Sequence, residues 1–285
     1  MEHNNEELKK VNQIPLDHIE ELDDENVKNR KAHDKRWLIP YSFKIQKYSA
    51  YTFLGFLGIH IASTIIIPII PIANTYKSEI FSIAKEIYKL PLFEPIVIIG
   101  SSITHVLSGI ALRYLKPRKR SNEIIITDDN DDIGFGGLSS IFGLGYKKSF
   151  TSKLFNMSPL QFSGYVIITF AIYHYYKFKY IPTSIEGDNS LINLDYITYV
   201  LNVKWPILNT TMLGGLVWSV AYHTVNGFFK LKKLYSKNWK RIGLAIVNLI
   251  GISGTISIYL FKKQKVDGGD FLGKVFISYL NSFRI

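Results

Sequence analysis

Cysteine is absent from this 285-residue sequence, which excludes disulfides, thiolate-ligated haem and cysteine-ligated iron–sulfur clusters within the chain. Charge is also nearly absent from five long stretches, while acidic and basic residues crowd into the connections. This division is typical of a membrane protein rather than of a large soluble core. The net charge of +11 then indicates topology control and contact with anionic membrane lipids, and we expect no nucleic-acid partner.

Five apolar runs, each near the roughly 20 residues that cross a bilayer, predict five transmembrane helices. They lie at about 48–72, 93–115, 158–178, 205–229 and 242–261. We therefore predict an all-α polytopic membrane protein in three parts. These are a polar, disordered cytosolic tail, a five-span membrane domain and a C-terminal tail, at residues 1–40, 41–262 and 263–285.

The polar tail and the connections predict the topology. Residues 1–27 hold nine acidic residues against Lys9 and Lys10, unlike a secretory signal or an Arg-rich mitochondrial presequence. Basic residues then crowd into 28–47, into the loop 116–157 and into the loop after the fourth run. In a five-span protein these segments share one side, so the positive-inside rule places the N-terminus in the cytosol.

Each of the first four apolar runs contains one histidine, and the fifth contains none. These histidines are His60, His105, His174 and His223. His3, His18 and His33 lie in the polar tail, where we expect them to be solvated. Ionisable groups in hydrocarbon are costly, so the four membrane histidines are candidates for a functional site. The alternative is hydrogen bonding between neighbouring helices.

The depths of the four histidines suggest how they pair. At 1.5 Å per residue, His60 and His174 lie roughly 18–24 Å from the cytosolic side, and His105 and His223 roughly 10–15 Å. Diagonal helices of a four-helix bundle can bracket a flat macrocycle. We therefore predict two haems b, ligated by His60 with His174 and by His105 with His223. Four imidazoles at two depths would not form one tetrahedral zinc site.

Small residues flank the histidines within one helical turn. They are Gly58, Ser63, Ser108, Gly109 and Gly227. A porphyrin face needs such residues where it meets a helix, although helix–helix packing in membranes favours them as well. A ligating histidine usually bonds its second ring nitrogen to a carbonyl or hydroxyl, and we expect Ser63, Ser108 or Thr104 to supply that partner.

Two sequence elements resemble the cytochrome b anchors of succinate dehydrogenase and fumarate reductase. Ser102-Ile-Thr-His105-Val-Leu-Ser108-Gly109 resembles their S-x-x-H-R-x-S/T-G element, and His223-Thr-Val-Asn226-Gly227 is similar to their later haem-ligand helix. The resemblance implies a dihaem bundle pairing helix one with three and helix two with four. Val106 replaces the arginine that in those anchors lies by the haem propionates and quinone pocket, so quinone binding is not implied.

The chain as a whole, over about residues 40–262, resembles a fungal mitochondrial outer-membrane family. That family consists of multispan adaptors that recruit a vacuolar-sorting bridge-like lipid-transfer protein and bypass lost ER–mitochondria tethering. The shared features are the polar tail, five spans, and the HVLSG and YHTVNG elements. In the family, a Pro-x-Pro element in the tail docks on the partner. This tail has only Pro15 before Pro40, so the resemblance does not supply the docking residues.

Three functions are consistent with these features. The first is an outer-membrane adaptor of lipid homeostasis with a haem-binding bundle, and the resemblance favours it. The second is an electron-transfer cytochrome or quinone-linked anchor, which would need a partner subunit, since no flavin, nicotinamide or iron–sulfur motif is visible. The third is a lipid scramblase, although Pro68 and Pro71 interrupt only the end of the first run. No nucleophile–base pair is visible, and we expect no enzymatic activity.

Overall fold

The structure is a computed structural model that describes residues 37–115, 157–188 and 190–283. Within these ranges the chain is helical and contains no strand. The helices are α1 (Leu38–Ile69), α2 (Asn74–Tyr88), α3 (Phe93–Leu115), α4 (159–186), α5 (Leu194–Asn202), α6 (Pro206–Leu231), α7 (Lys237–Lys263) and α8 (Phe271–Ser282). The three tail histidines and most of the predicted basic segments at 28–47 and 116–157 lie outside the described residues.

The long helices α1, α3, α4, α6 and α7 coincide with the five apolar runs. Among the described residues, three of them, α1, α3 and α7, are long and apolar enough to cross a membrane by length and composition alone. The helices α4 and α6 are of similar length but carry histidine, asparagine and several tyrosines, which lower their hydropathy. The all-helical membrane class is therefore supported, while five crossings stay a prediction.

The long helices pack as two antiparallel pairs with a fifth helix on one side. Helix α1 packs along α3, α4 packs along α6, and α7 packs against α6 and the end of α1. Glycine permits close approach of α7 to α6, because a Cβ on Gly251 would lie 2.6 Å from the Trp218 ring. In the described residues, the most extensive helix packing joins α1 to α3 and joins α6 to both α4 and α7.

Three shorter helices, α2, α5 and α8, form a folded layer at the end of the bundle where α1 ends, and we call this layer the far-side cap. Its core contains fully buried aromatic and aliphatic side chains, namely Tyr196, Val200, Phe276, Tyr279 and Leu280. Helix α8 belongs to the region 263–285 that the sequence suggested was a tail. In the structure this helix packs on α5 and on the end of α4.

A buried lysine joins two parts of the far-side cap. The Lys85 ammonium donates hydrogen bonds to the carbonyl oxygens of Ser190 (2.7 Å) and Ile192 (2.8 Å). Burial lowers the pKa of Lys85, and the nearby Lys89 charge acts in the same direction. The cap therefore closes one end of the bundle with specific contacts between α2 and the segment before α5.

Candidate cofactor site

The structure brings the four membrane histidines together as two pairs in the space between the helix pairs. The rings of His60 on α1 and His174 on α4 have centroids 5.9 Å apart and planes at 75°. The rings of His105 on α3 and His223 on α6 have centroids 6.1 Å apart and planes at 88°. We call these the deep pair and the shallow pair, because the deep pair lies nearer to the far-side cap.

The separation within each pair suits one metal ion between two imidazoles. A metal–imidazole nitrogen bond is about 2 Å long and the ring centre lies about 1 Å further, so two ligands on opposite sides have centroids about 6 Å apart. Among the described residues, no three His, Cys, Asp or Glu side chains gather as a metal site. Two nitrogen ligands on opposite faces fit the axial positions of a haem, and ligation by these pairs stays a prediction.

The shallow pair has hydrogen-bond partners for its second ring nitrogens. The Nδ1 atom of His105 lies 3.1 Å from the carbonyl oxygen of Gln46, and the Nδ1 atom of His223 lies 3.0 Å from the Ser163 hydroxyl. These contacts leave the Nε2 atom of each ring available to a ligand. Gly164 lets the His223 ring lie close to α4, because a Cβ at this position would lie 3.2 Å from the ring.

The three residues expected as partners of the ring nitrogens do not contact a ring nitrogen in the structure. The hydroxyl of Ser63 donates to the His60 carbonyl (3.2 Å) and that of Ser108 donates to the His105 carbonyl (3.0 Å), while Thr104 is exposed. A serine within a helix bonds readily to the carbonyl three or four residues before it, and this local bond competes with contact to a ring.

The deep pair lies among aromatic rings and lacks such hydrogen bonds. In the described residues, the Nδ1 atoms of both His60 and His174 are buried and have no hydrogen-bond partner. Phe56 stacks on His60 with centroids 5.3 Å apart, and Phe178 lies 4.8 Å from His174. The Tyr88 ring, from α2, lies 6.2 Å from His60. Apolar contact rather than hydrogen bonding therefore surrounds this pair.

Each deep histidine is followed by the same break in helix geometry. A π-helical turn begins two residues later, at Ala62–Ile66 in α1 and at Tyr176–Tyr180 in α4. A proline follows each turn, and its missing N–H leaves a carbonyl one turn earlier without its helical partner. The Ser257 hydroxyl donates to the Thr64 carbonyl (3.1 Å), and the Tyr196 hydroxyl donates to the Lys177 carbonyl (3.1 Å).

The glycines near the histidines differ in what surrounds them. A methyl group on Gly58 or Gly227 would meet no heavy atom of the described residues within 4 Å, so space lies open beside both. A methyl group on Gly109 would instead lie 3.0 Å from the Gln46 amide nitrogen, which is a helix-packing contact between α1 and α3. Contact of a porphyrin with Gly58 and Gly227 stays a prediction.

An internal repeat would have indicated Ser163 and Gly164 from the sequence. Residues 48–68 and 162–182 align at an offset of 114, from His60 to His174, and share an aromatic-Ser-small-Tyr start and an Ile-Pro end. Residues 101–109 and 219–227 share Ser-x3-His-x2-Ser/Asn-Gly. The two antiparallel helix pairs therefore share the same sequence elements in the same order.

A family model for the transmembrane domain of MDM10-complementing protein 1 matches residues 55–152 and 169–263. The chain belongs to this family. A yeast relative, the mitochondrial adapter protein MCP1 of Saccharomyces cerevisiae, is 27% identical over 262 residues, which cover 83% of this chain and 82% of the relative. No solved structure matches the chain.

The two matched segments of the MDM10-complementing protein 1 family follow the internal repeat. The first contains most of the α1–α3 pair with His60 and His105, and the second contains His174, His223 and the following helix α7. All four membrane histidines therefore lie inside the family's transmembrane domain. The polar tail and helix α8 lie outside the matched segments.

Proposed function

We propose that this protein is a membrane adaptor of the mitochondrial outer membrane that recruits lipid-transfer machinery and so contributes to lipid homeostasis. The observation that carries the proposal is the family match across both helix pairs, together with a relative named as a mitochondrial adapter protein. The polar tail 1–40 and the basic loops face the cytosol in this proposal, where a bridge-like lipid-transfer protein would dock.

The adaptor proposal is tested in cells by tagging the chain and the bridge-like lipid-transfer protein. We expect the tagged chain to resist carbonate extraction from mitochondria, and its overproduction to draw the transfer protein to the mitochondrial surface. Deleting residues 1–35 should leave the chain membrane-integral, because these residues are too polar to enter the bilayer, but should abolish recruitment. Unchanged recruitment without the tail would place docking elsewhere, and no recruitment by the full chain would contradict the proposal.

Orientation is tested by protease treatment of intact mitochondria. We expect an epitope at the N-terminus to be removed and an epitope at Ile285 to be protected, because basic segments favour the cytosolic side. The reverse pattern would contradict the proposed orientation.

We also propose that the bundle binds two haems b, with His60 and His174 as axial ligands of one and His105 and His223 as axial ligands of the other. The ring separations of 5.9 and 6.1 Å support this proposal. When bound, haem supplies reversible one-electron chemistry at iron. The chain itself holds the imidazoles, fixes the shallow rings through Gln46 and Ser163, and excludes water with aromatic side chains.

The haem proposal is tested by an absorption spectrum of protein purified from cells supplied with a haem precursor. We expect a Soret band, reduced-minus-oxidised bands of bis-histidine haem, and two haems per chain. A folded preparation without a Soret band would contradict it, and the histidines would then be interhelical contacts.

Electron transfer is the second candidate function. Two histidine pairs at different depths would place two redox centres in series through the bundle, and axial positions filled by histidine favour electron transfer over ligand binding. Rapid re-reduction of one haem after flash oxidation of the other, in the purified protein, would support this function. Two centres that equilibrate only over minutes would exclude it.

A further inference from the structure

Two cation–aromatic contacts involve tyrosines at corresponding positions of the two helix pairs. Tyr51 and Tyr165 correspond at the same offset of 114 residues. The Arg113 guanidinium lies 6.0 Å from the Tyr165 ring, and the Lys232 ammonium lies 5.7 Å from the Tyr51 ring. One contact therefore joins α3 to α4, and the other joins the end of α6 to α1. One of the two cations belongs to each helix pair, Arg113 to α3 and Lys232 to the end of α6.

Both cations lie beyond the shallow pair, toward the end of the bundle opposite the far-side cap. Arg113 follows His105 by eight residues and Lys232 follows His223 by nine, so each backbone position lies about 12–13 Å further along its helix. Both side chains are long enough to reach back toward the histidines by several ångströms. A ligand held between His105 and His223 would therefore have a cation on either side of its outer edge.

Two polar atoms of these contacts have no hydrogen-bond partner among the described residues. In the described part of the chain, the Nη1 atom of Arg113 and the hydroxyl of Tyr51 are buried and make no hydrogen bond. A buried guanidinium nitrogen without an acceptor is costly, and pairing with an anion offsets that cost. The Lys47 ammonium also lies 5.8 Å from the Tyr51 ring, which adds positive charge at the same place.

We propose that Arg113 and Lys232 bind two anionic groups of a ligand that lies on the bundle axis beside His105 and His223. The inference rests on the proposed haem binding, and haem b suits it because two propionate carboxylates lie on one edge, one on either side of the midline of the macrocycle. The shared chemistry is an anionic oxygen group on each side, and phosphates of membrane lipids are the other possible source. Arginine and lysine bind both carboxylates and phosphates.

The experiment titrates haem-depleted full-length protein in detergent with haem b and with its dimethyl ester, in which both carboxylates are blocked. The variants are Arg113→Gln, Lys232→Gln and Arg113→Lys. The controls are Arg241→Gln on the exposed face of α7 and Lys262→Gln near the far-side cap, both exposed. Midpoint potentials and the phosphorus content of co-purified lipid are measured on the same preparations.

We expect Arg113→Gln to weaken haem b binding about ten-fold, the range of a lost charge-assisted hydrogen bond, and Lys232→Gln by less, since Lys232 is exposed. Neither change should affect the dimethyl ester, and Arg113→Lys should retain part of the affinity. Arg113→Gln should also lower the potential of the shallow haem, because a nearby cation favours the reduced form. A loss of folding alone would weaken both ligands equally.

The outcomes separate this inference from the haem proposal. If the wild type binds no haem, the haem proposal fails. The phosphorus content of the co-purified lipid then tests whether Arg113 and Lys232 bind lipid phosphate. Less retained phosphorus in Arg113→Gln and Lys232→Gln than in the controls would then identify lipid phosphate as the source. Equal haem affinity, equal potential and equal phosphorus in variants and controls would overturn the inference.

Discussion

The shallow and deep histidine pairs have nearly the same ring separation but different surroundings. The shallow rings are each fixed by a hydrogen bond at Nδ1: His105 donates to the Gln46 carbonyl, and His223 is hydrogen-bonded with the Ser163 hydroxyl. The deep rings have buried Nδ1 atoms without partners in the described residues and are surrounded by Phe56, Phe178 and Tyr88. Hydrogen bonding at the second nitrogen orients a ligating imidazole and raises its basicity. We therefore expect haems bound at the two pairs to differ in affinity and in midpoint potential, although the ring separations are nearly equal.

The largest expected effect comes from removing ligands of both pairs. His105→Ala should halve the haem content, and adding His223→Ala should lower it little further, because both belong to the shallow pair. Combining His105→Ala with His60→Ala should leave no haem. Haem per chain is measured by the pyridine haemochrome assay. The pairing is wrong if His105→Ala with His223→Ala removes all haem while each single change removes half.

The next largest effect is expected at the hydrogen bond that fixes His223. Ser163→Ala should speed haem loss from the shallow pair by about ten-fold, the lower end of the range for partners of metal-bound histidines. The control is Thr52→Ala, because the exposed Thr52 hydroxyl donates to the Tyr48 carbonyl of its own helix, and neither residue contacts a membrane histidine ring. Transfer of haem to apomyoglobin gives the rates. Equal rates of haem loss in the two variants would show that the Ser163 hydrogen bond does not strengthen haem binding by the shallow pair.

A redox titration tests the same comparison through a different property. A less basic imidazole stabilises oxidised iron less, so we expect the deep haem to have the higher midpoint potential. Ser163→Ala should raise the midpoint potential of the shallow haem and leave that of the deep haem unchanged. The difference between the two potentials should therefore become smaller. Assignment comes from the His60→Ala and His105→Ala variants, each of which retains one haem. A deep haem with the lower potential would contradict the ranking.

The smallest expected effect concerns the far-side cap. Lys85→Met should destabilise the cap by about 1–3 kcal/mol, because the carbonyls of Ser190 and Ile192 lose a buried donor. Faster cleavage of the segment 187–193 in limited proteolysis measures this change. Lys89→Met, at the exposed position that directly follows helix α2, serves as the control. Equal cleavage of the two variants would show that the Lys85 bonds do not stabilise the cap.

Stability of the cap should also depend on pH through Lys85. Its pKa is lowered by burial, so between the lowered value and the ordinary value the unfolded chain binds more protons than the folded chain. The Lys85 contribution to folding stability therefore rises with pH across that window. Wild-type protection from proteolysis should increase there relative to Lys85→Met. A parallel pH dependence in both proteins would contradict the assignment.

Hydropathy and length predicted the positions of the long helices because a membrane span leaves a local signal in the sequence. The far-side cap left none of that kind, since α5 and α8 are short and acquire their burial from contacts with residues distant in the chain. The partner of His105 is a backbone carbonyl, so no side chain at Gln46 identifies it. Ser163 was detectable only through the repeat, which becomes clear when the two units are aligned on their histidines.

The π-helical turns beside His60 and His174 are each stabilised by a hydrogen bond from another part of the structure. Ser257 of α7 donates to the turn beside His60, and Tyr196 of the far-side cap donates to the turn beside His174. A force on the cap or on α7 would therefore reach the two rings from different directions and change the distance between them. With the proposed haem bound between these rings, such a change in distance would alter its absorption spectrum.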